Sequence, residues 1–182
     1  ICGGYRLMEY LIIKNVLTNK QRKKLLEDCK PFLHTADQLR YMYNKRANYA
    51  GKQTKSMLHE NQIIMKPMIS IMKRLYEETG KNFVIRRSWI NWTNGSKSQE
   101  LWHTHGKEFG DWIAVYYIKT PLPFFSNGTL FKEKFVKAPQ NSLLLFPNHL
   151  EHTAPTSPFR LDRYTMGIDL FLDFPPYGER IR

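Results

Sequence analysis

The sequence predicts an α+β protein that is mainly β, with helices first and a sandwich or jelly roll after them. Apolar residues recur at helical spacing in the first part of the chain, and from Asn82 their period changes to two. The second part holds many short apolar runs separated by Gly, Pro and Asn turns, a pattern typical of sandwiches and jelly rolls. Residues 1–7 contain no Met and precede Met8, so we expect them to be a leader or expression remnant. Residues 8–182 would then form one domain, with a helical flank over 8–81 and a β core over 82–174.

The N-terminal flank is predicted to begin with a short strand and a capped helix. Residues 10–17 are an apolar run of strand length. Thr18 and Gln21 have the spacing of a capping box, so a helix is expected to begin directly after that run. Residues 34–58 are polar, basic and rich in Tyr and Asn, and we interpret them as a loop with at most a short strand.

A second helix and a series of strands are predicted to follow. Residues 61–79 carry apolar side chains at helical spacing, with Gly80 as the expected C-terminal stop and Pro67 as a kink or a break. The predicted strands cover residues 83–92, 101–105, 112–118, 129–131, 142–146 and 163–171, with a hairpin turn at Asn94–Gly95.

The charge of the chain is +12, and it is concentrated in one half. Residues 1–90 hold 18 Lys and Arg against 7 Asp and Glu, whereas residues 91–182 hold 10 against 9. A basic half suits an acidic polypeptide, an anionic metabolite or nucleic acid, although a solvated lysine-rich surface is the simpler interpretation. Nucleic acid is disfavoured because no zinc-finger, homeodomain or RNA-binding signature accompanies the charge.

Membrane and disulfide classes are also disfavoured. No apolar run approaches the roughly 20 residues that a membrane-spanning helix requires. The chain has only two cysteines, which indicates a reducing, intracellular compartment.

Three histidines have the spacing of a metal site. His103 and His105 are two residues apart, so on an extended strand both imidazoles project from the same face. His152 comes from a distant predicted strand. Three imidazoles on one face of an ion leave other positions open for substrate and dioxygen, as in non-heme iron oxygenases. Neutral imidazoles also bind zinc, copper and nickel, so the histidines alone leave the metal open.

Six segments between Arg87 and Leu170 together carry a family resemblance. They are Trp-His-Thr-His (102–105), Ala-Val-Tyr-Tyr-Ile (114–118), Asn-Gly-Thr-Leu-Phe (127–131), Ser-Leu-Leu-Leu-Phe-Pro (142–147), Glu-His-Thr (151–153) and Arg-Tyr-Thr (163–165). In order and spacing they resemble the 2-oxoglutarate/Fe(II)-dependent dioxygenase superfamily, and most of all the small prolyl-hydroxylase-like proteins of marine phages. The resemblance implies a double-stranded β-helix core, a jelly roll of the cupin-like kind. It also implies a location in the cytoplasm of a bacterial or phage-infected host cell.

The resemblance also implies an iron site. The superfamily usually presents His-x-Asp…His as its ligands, and the matching positions here are His103, His105 and His152. This chain differs from the pattern because His105 stands where the family has Asp. A neutral imidazole brings neither the negative charge nor the second oxygen of a carboxylate, so Asp111 stays open as an alternative second ligand.

The co-substrate site is likewise implied by the resemblance. Arg163 matches the basic residue that binds the far carboxylate of 2-oxoglutarate, and a guanidinium can engage a carboxylate through two parallel hydrogen bonds. Thr165 lies two residues further on the same strand face, and Tyr117 matches a tyrosine that contacts this co-substrate. Four aromatic side chains are candidates to line the pocket or to fill the core: Trp89, Trp92, Trp102 and Trp112.

The resemblance implies an oxidoreductase that uses Fe(II), 2-oxoglutarate and dioxygen to hydroxylate an unactivated C–H bond, with ascorbate as an accessory reductant. A prolyl or other residue of an acidic peptide or protein is the first candidate substrate. Three alternatives stay open. They are a non-catalytic cupin-like binding or phage structural module, a three-histidine thiol dioxygenase, and a nucleobase demethylase. The last is disfavoured because Arg180 and Arg182 are too far from Arg163.

Overall fold

The structure is a computed structural model that describes residues 10–43, 51–94, 102–121, 127–155 and 160–173. Within these residues it contains three α-helices and ten strands. The helices are α1 (Asn19–Cys29), α2 (Ala36–Tyr43) and α3 (Gln62–Thr79). The strands are β1 (Leu11–Lys14), β2 (His34–Thr35), β3 (Lys52–Gln53), β4 (Phe83–Asn94), β5 (Trp112–Lys119), β6 (Gly128–Phe131), β7 (Phe135–Lys137), β8 (Ser142–Pro147), β9 (His152–Thr153) and β10 (Asp162–Leu172).

The strands form two antiparallel sheets. The larger sheet has the order β1-β8-β5-β10-β4-β3-β2, and the smaller sheet has the order β7-β6-β9. Strand β10 lies at the centre of the larger sheet and pairs with β5 on one side and β4 on the other. The N-terminal flank contributes to the same sheet, because β1 pairs with β8 and β3 pairs with β4.

Buried apolar side chains form a cluster on each face of the larger sheet, as the two-residue period of a strand requires. The outer cluster joins α1 and α3 to the sheet and includes Leu25, Ile64, Met68, Ile71, Leu75, Tyr116, Leu143, Met166, Ile168 and Leu170. The inner cluster draws on strands of both sheets and consists of Ile113, Tyr117, Phe131, Val136, Ala138, Leu144 and Phe146. Helices α1 and α3 therefore cover one face of the sheet, while the other face is turned toward the smaller sheet.

The helix boundaries follow local capping chemistry, as predicted. The Thr18 hydroxyl accepts a hydrogen bond from the Gln21 backbone N–H at 3.2 Å, and the Gln21 side chain accepts one from the Thr18 N–H at 3.0 Å. Gly80 ends α3 with φ of 65°, a conformation that favours glycine. Pro67 lies inside α3, and the helix continues through it without the break that was one of the two expectations.

Two local predictions are wrong. Residues 34–58 contain a full helix, α2, in which Leu39 is the only buried side chain among those described. Residues 102–105 do not form a regular strand, since the only ladder contact there is an isolated bridge between His103 and His152. Residues 1–7, Gly95, Leu101, Arg180 and Arg182 lie outside the described residues. None of the described helices is long and apolar enough to cross a membrane.

Candidate metal centre and its cavity

Three imidazoles converge between the two sheets. The candidate ligand atoms of His103, His105 and His152 all lie within 4.8 Å of one another. Backbone hydrogen bonds fix this convergence. His103 N–H donates to the His152 carbonyl at 3.1 Å, His152 N–H donates back at 3.0 Å, and His105 N–H donates to the Asn148 carbonyl at 3.2 Å. The extended segment that carries the first pair is thus held against β9 and the turn after β8, and the two-residue spacing brings both rings to the third.

In two of the imidazoles, those of His105 and His152, Nδ1 is hydrogen-bonded and Nε2 is left available to bind a metal ion. His152 Nδ1 donates to the Leu150 carbonyl at 2.8 Å, and His105 Nδ1 donates to Asp169 Oδ1 at 2.5 Å. A carbonyl or an ionised carboxylate can only accept, so both Nδ1 atoms carry hydrogen and each Nε2 lone pair is free. Burial, together with the neighbouring His103, lowers the pKa of His152 to about 3, so this ring is neutral. Neutral imidazole is the form that binds metal.

Asp111 is not part of this group. It is exposed, and its backbone N–H donates to the Leu170 carbonyl at 2.9 Å. The three-residue group that could hold a metal contains the histidines alone, within the part of the chain that the structure describes. His103 is the exposed member of the group, whereas His152 is buried, so the group faces solvent on the His103 side.

A cavity of about 430 Å³ opens over the histidines. Its described lining carries two cationic side chains, Arg87, which is paired with Asp169 outside the lining, and Arg163, and no carboxylate. Thr129, Thr165 and Asn91 add polar groups, and the lining also includes Trp89, Phe109, Ile113 and Val115. A cavity of this volume and charge suits a small anion bound next to a metal ion.

The inner face of β10 supplies one wall of this cavity. Because side chains alternate along a strand, Arg163, Thr165, Gly167 and Asp169 share one face, while Tyr164, Met166, Ile168 and Leu170 pack in the outer cluster. Gly167 is required here, since a Cβ at this position would lie 2.6 Å from Cζ2 of Trp89. The indole therefore lies directly against the strand and forms part of the cavity wall.

Arg163 is buried, with 6% of its surface exposed, and it has few partners. Its Nη2 donates to the Gly128 carbonyl at 3.0 Å, its guanidinium carbon lies 5.6 Å from the centre of the Tyr117 ring, and the guanidinium also interacts with the Tyr117 hydroxyl. Its Nε has no hydrogen-bond partner among the described residues. None of the described carboxylates forms an ion pair with Arg163. A buried cation normally has an anionic partner, so this guanidinium has the properties of a carboxylate-binding group.

Tyr117 and Thr165 occupy different positions relative to the cavity. Thr165 is buried, and its side chain belongs to the cavity lining. Tyr117 is completely buried, which raises the pKa of its phenol, and its hydroxyl hydrogen-bonds Thr129 Oγ1 at 2.6 Å. Thr129 lines the cavity and Tyr117 does not, so the tyrosine lies behind the threonine.

Only one of the four tryptophans belongs to the described cavity lining. Trp89 lies there, stacked at 5.7 Å from the His105 ring. Trp92 and Trp112 pack against the outer cluster, and Trp102 lies under the Lys132 ammonium at 4.2 Å.

Sequence reasoning missed several polar groups of the site, above all Asp169 and Arg87. Arg87 Nε donates to Asp169 Oδ2, while Asp169 Oδ1 accepts from His105. A local signal for Asp169 existed, because the two-residue step from Arg163 through Thr165 leads to it. An aspartate in a buried strand also requires a polar partner.

Solved structures of 2-oxoglutarate-dependent oxygenases share this fold. A viral collagen prolyl hydroxylase from Paramecium bursaria Chlorella virus-1 is 12% identical, with a TM-score of 0.60 and 90% of each chain covered. A prolyl hydroxylase from Trichoplax adhaerens, in complex with a hypoxia inducible factor peptide fragment, is 15% identical, with a TM-score of 0.65 and 90% of this chain and 83% of that chain covered. HygX from Streptomyces hygroscopicus, with nickel and 2-oxoglutarate bound, is 8% identical, with a TM-score of 0.65 and 96% and 85% covered.

No protein-family model matches the sequence, and a search of curated proteins finds no match either. The structural likeness establishes the fold. The chain has the jelly-roll, double-stranded β-helix core of 2-oxoglutarate-dependent oxygenases, as the sequence predicted.

Proposed function

We propose that this protein is an Fe(II)- and 2-oxoglutarate-dependent dioxygenase that hydroxylates an unactivated C–H bond. One observation carries the proposal. Three converging imidazoles and a buried arginine without a carboxylate partner among the described residues line the same cavity of a 2-oxoglutarate oxygenase fold. Either feature alone is compatible with many functions, but together they match a metal ion and a small dicarboxylic acid bound side by side.

The imidazoles fit a divalent metal ion. His103, His105 and His152 would hold Fe(II), with Nε2 of the last two as ligand atoms because their Nδ1 atoms are already bound. When bound, iron would supply the oxidising chemistry together with 2-oxoglutarate and dioxygen, such that one oxygen atom of O2 enters succinate, CO2 is released, and the other oxygen atom enters the hydroxylated substrate. Three protein ligands on one side leave the remaining coordination positions facing the cavity.

The basic end of the cavity fits the far carboxylate of 2-oxoglutarate. Arg163 would bind it through Nε, which has no hydrogen-bond partner among the described residues, and Thr165 would donate its hydroxyl from the same strand face. Tyr117 would support this end by holding Thr129 in place. The apolar side chains Ile113 and Val115 would exclude water between the two ends, which strengthens each electrostatic contact.

For the primary substrate we propose a prolyl or other residue of an acidic peptide or protein. The support is the basic N-terminal half of the chain and the likeness to the two prolyl hydroxylases. HygX has also been solved with hygromycin B bound, so this fold accommodates a small molecule in that protein. A panel of proline-containing acidic peptides, with charge-reversed copies as controls, tests this part by mass spectrometry for the gain of one oxygen atom.

The central experiment is an anaerobic titration of the protein with Fe(II) and 2-oxoglutarate, followed by admission of oxygen. The proposal predicts a weak visible absorption band that needs both additions, and then formation of succinate. His152→Ala should abolish the band, and His149→Ala is the matched control, because His149 is exposed and lies three residues away.

Two outcomes favour different functions. Binding of neither metal nor 2-oxoglutarate would indicate a non-catalytic module. Oxygen uptake that is insensitive to 2-oxoglutarate would indicate a thiol dioxygenase. Either result would contradict the proposal.

A further inference from the structure

Asp169 is a buried carboxylate that contacts the three-histidine group without being one of its candidate ligands. Only 1% of its side chain is exposed. Its Oδ1 accepts from His105 Nδ1 at 2.5 Å, and its Oδ2 accepts from Arg87 Nε. Both carboxylate oxygens are therefore engaged, one by the imidazole and one by a guanidinium.

We propose that Asp169 is a positioning residue for the metal centre. It would hold His105 in the Nδ1–H tautomer with Nε2 turned toward the ion. It would also supply a negative charge behind His105, through the hydrogen bond to Nδ1, whereas a neutral imidazole brings no charge as a ligand. This inference rests on the proposed function only in so far as the three histidines bind a metal.

The tautomer argument follows from the chemistry of the two partners. A free neutral imidazole exchanges between two tautomers, and the one with hydrogen on Nε2 cannot use that nitrogen as a ligand. An ionised carboxylate only accepts hydrogen bonds, so its contact with Nδ1 selects the other tautomer. A carboxylate behind a metal-bound imidazole also raises the basicity of the ligand and fixes the ring orientation. The His105 side chain is only 6% exposed, so little water competes for this contact.

The backbone around Asp169 is shaped to bring it to His105. A register shift at Asp169/Leu170 leaves Arg86 as an extra residue in β4, so Asp169 stands opposite Arg87. Such bulges redirect side chains next to functional sites. Gly110 lies so close to β10 that a Cβ on it would be 2.4 Å from the Leu170 carbonyl oxygen. The segment that carries His105 is thereby held against the strand that carries Asp169.

Arg87 orients the carboxylate from the opposite side. Its guanidinium carbon lies 3.4 Å from the centre of the Phe109 ring and 5.4 Å from the centre of the Trp89 ring, so two aromatic faces fix it. Because Arg87 occupies Oδ2, Oδ1 is the oxygen directed at His105. The guanidinium thus serves the orientation of Asp169, and Asp169 serves His105.

The first test reads the tautomer directly and needs no metal. Nitrogen-15 NMR of histidine-labelled, metal-free protein at mildly alkaline pH reports which ring nitrogen carries hydrogen, and the His105 signals are identified by their loss in His105→Gln. The proposal predicts hydrogen on Nδ1 in the wild type. Asp169→Asn should shift His105 toward the Nε2–H tautomer, because an amide can donate to Nδ1 where a carboxylate cannot.

The second test measures Co(II) affinity by competition with a chelating dye. Asp169→Asn is expected to weaken Co(II) binding by about 10- to 100-fold, the range typical for loss of such a supporting group. Asp162→Asn is the matched control, because Asp162 lies on the same strand and bonds Trp92 and Asn94 but no histidine. It should leave both the tautomer and the Co(II) affinity unchanged.

A purely structural role for Asp169 predicts a different pattern. It would lower thermal stability while the His105 tautomer and the Co(II) affinity of the folded protein stayed as in the wild type, and that result would overturn the proposal. If Asp169→Asn does not fold, Arg87→Met/Asp169→Leu removes both charges together, and His105 should then lose its preference for the Nδ1–H tautomer and populate both tautomers. A wild-type spectrum with no hydrogen on His105 Nδ1 would overturn the proposal without any variant. If the wild type binds no Co(II), the proposed function fails, and the NMR result still decides whether Asp169 orients His105.

Discussion

Replacing Arg163 with methionine gives the sharpest prediction for the co-substrate site. Methionine keeps much of the length of the side chain and removes the guanidinium. Removing one partner of a buried charge pair costs about 3 to 5 kcal/mol, which corresponds to roughly a 10²- to 10⁴-fold rise in a dissociation constant. We therefore expect 2-oxoglutarate binding to the Mn(II)-loaded protein to weaken by that factor, whereas Mn(II) affinity should not change.

The stability of the same variant should behave differently from its affinity. Without 2-oxoglutarate the guanidinium donates to the Gly128 carbonyl and interacts with the Tyr117 hydroxyl, while its Nε has no partner among the described residues. Losing these contacts costs about 1 to 3 kcal/mol, and removing an incompletely paired buried charge offsets part of that cost, so Arg163→Met should change the free energy of unfolding much less than the 2-oxoglutarate affinity. Saturating 2-oxoglutarate should raise the melting temperature of the wild type and not that of the variant. Calorimetric titration and thermal melts, with exposed Arg86→Met as the control, measure both effects. Unchanged 2-oxoglutarate affinity in Arg163→Met would refute the reasoning.

Three further predictions concern packing, a turn and pH. Gly167→Ala should lower the free energy of unfolding, measured in urea, by about 1 to 3 kcal/mol and should change Trp89 fluorescence, because the new methyl group meets the indole. Unchanged stability and fluorescence would contradict this prediction. Asn141→Ala should lower the free energy of unfolding by about 2 to 4 kcal/mol in the same assay, because the Asn141 side chain accepts a hydrogen bond from the Leu17 N–H and donates one to the Leu17 carbonyl. Asn141→Gly should recover only the part of this loss that comes from the positive φ at this position. Metal-free protein should lose stability as the pH falls from 6.5 toward about 3, because His152 takes up a proton in the unfolded chain and stays neutral in the folded protein. In His152→Gln the free energy of unfolding should depend less steeply on pH, by about 1.4 kcal/mol per pH unit, and equal slopes in the two proteins would exclude this origin.

Features that depend on short-range chemistry could be predicted from the sequence. The capping box of Thr18 and Gln21 and the stop at Gly80 depend on atoms within a few residues of one another, and both are confirmed. The pairing of His103 and His105 follows from their spacing, even though the regular strand expected there is only a bridge to His152.

Features that depend on pairing across the chain could not be predicted in this way. The outward position of Trp92 and Trp112 depends on which strand face meets the helices, and the local alternation does not determine that choice. Asp169 contacts residues 64 and 82 positions away in the chain, so its partners were hidden although its strand face was not. The helix α2 was missed because it is only 8 residues long and stands in a polar, basic segment, where Leu39 is its only buried side chain among those described.

The most direct test is an anomalous-scattering map from crystals grown without oxygen in the presence of Mn(II) and 2-oxoglutarate. We expect one strong peak within bonding distance of His103, His105 and His152, with the far carboxylate of the dicarboxylic acid paired to Arg163. An ion bound elsewhere, rings that turn away from one another, or a carboxylate that avoids the guanidinium would contradict the account.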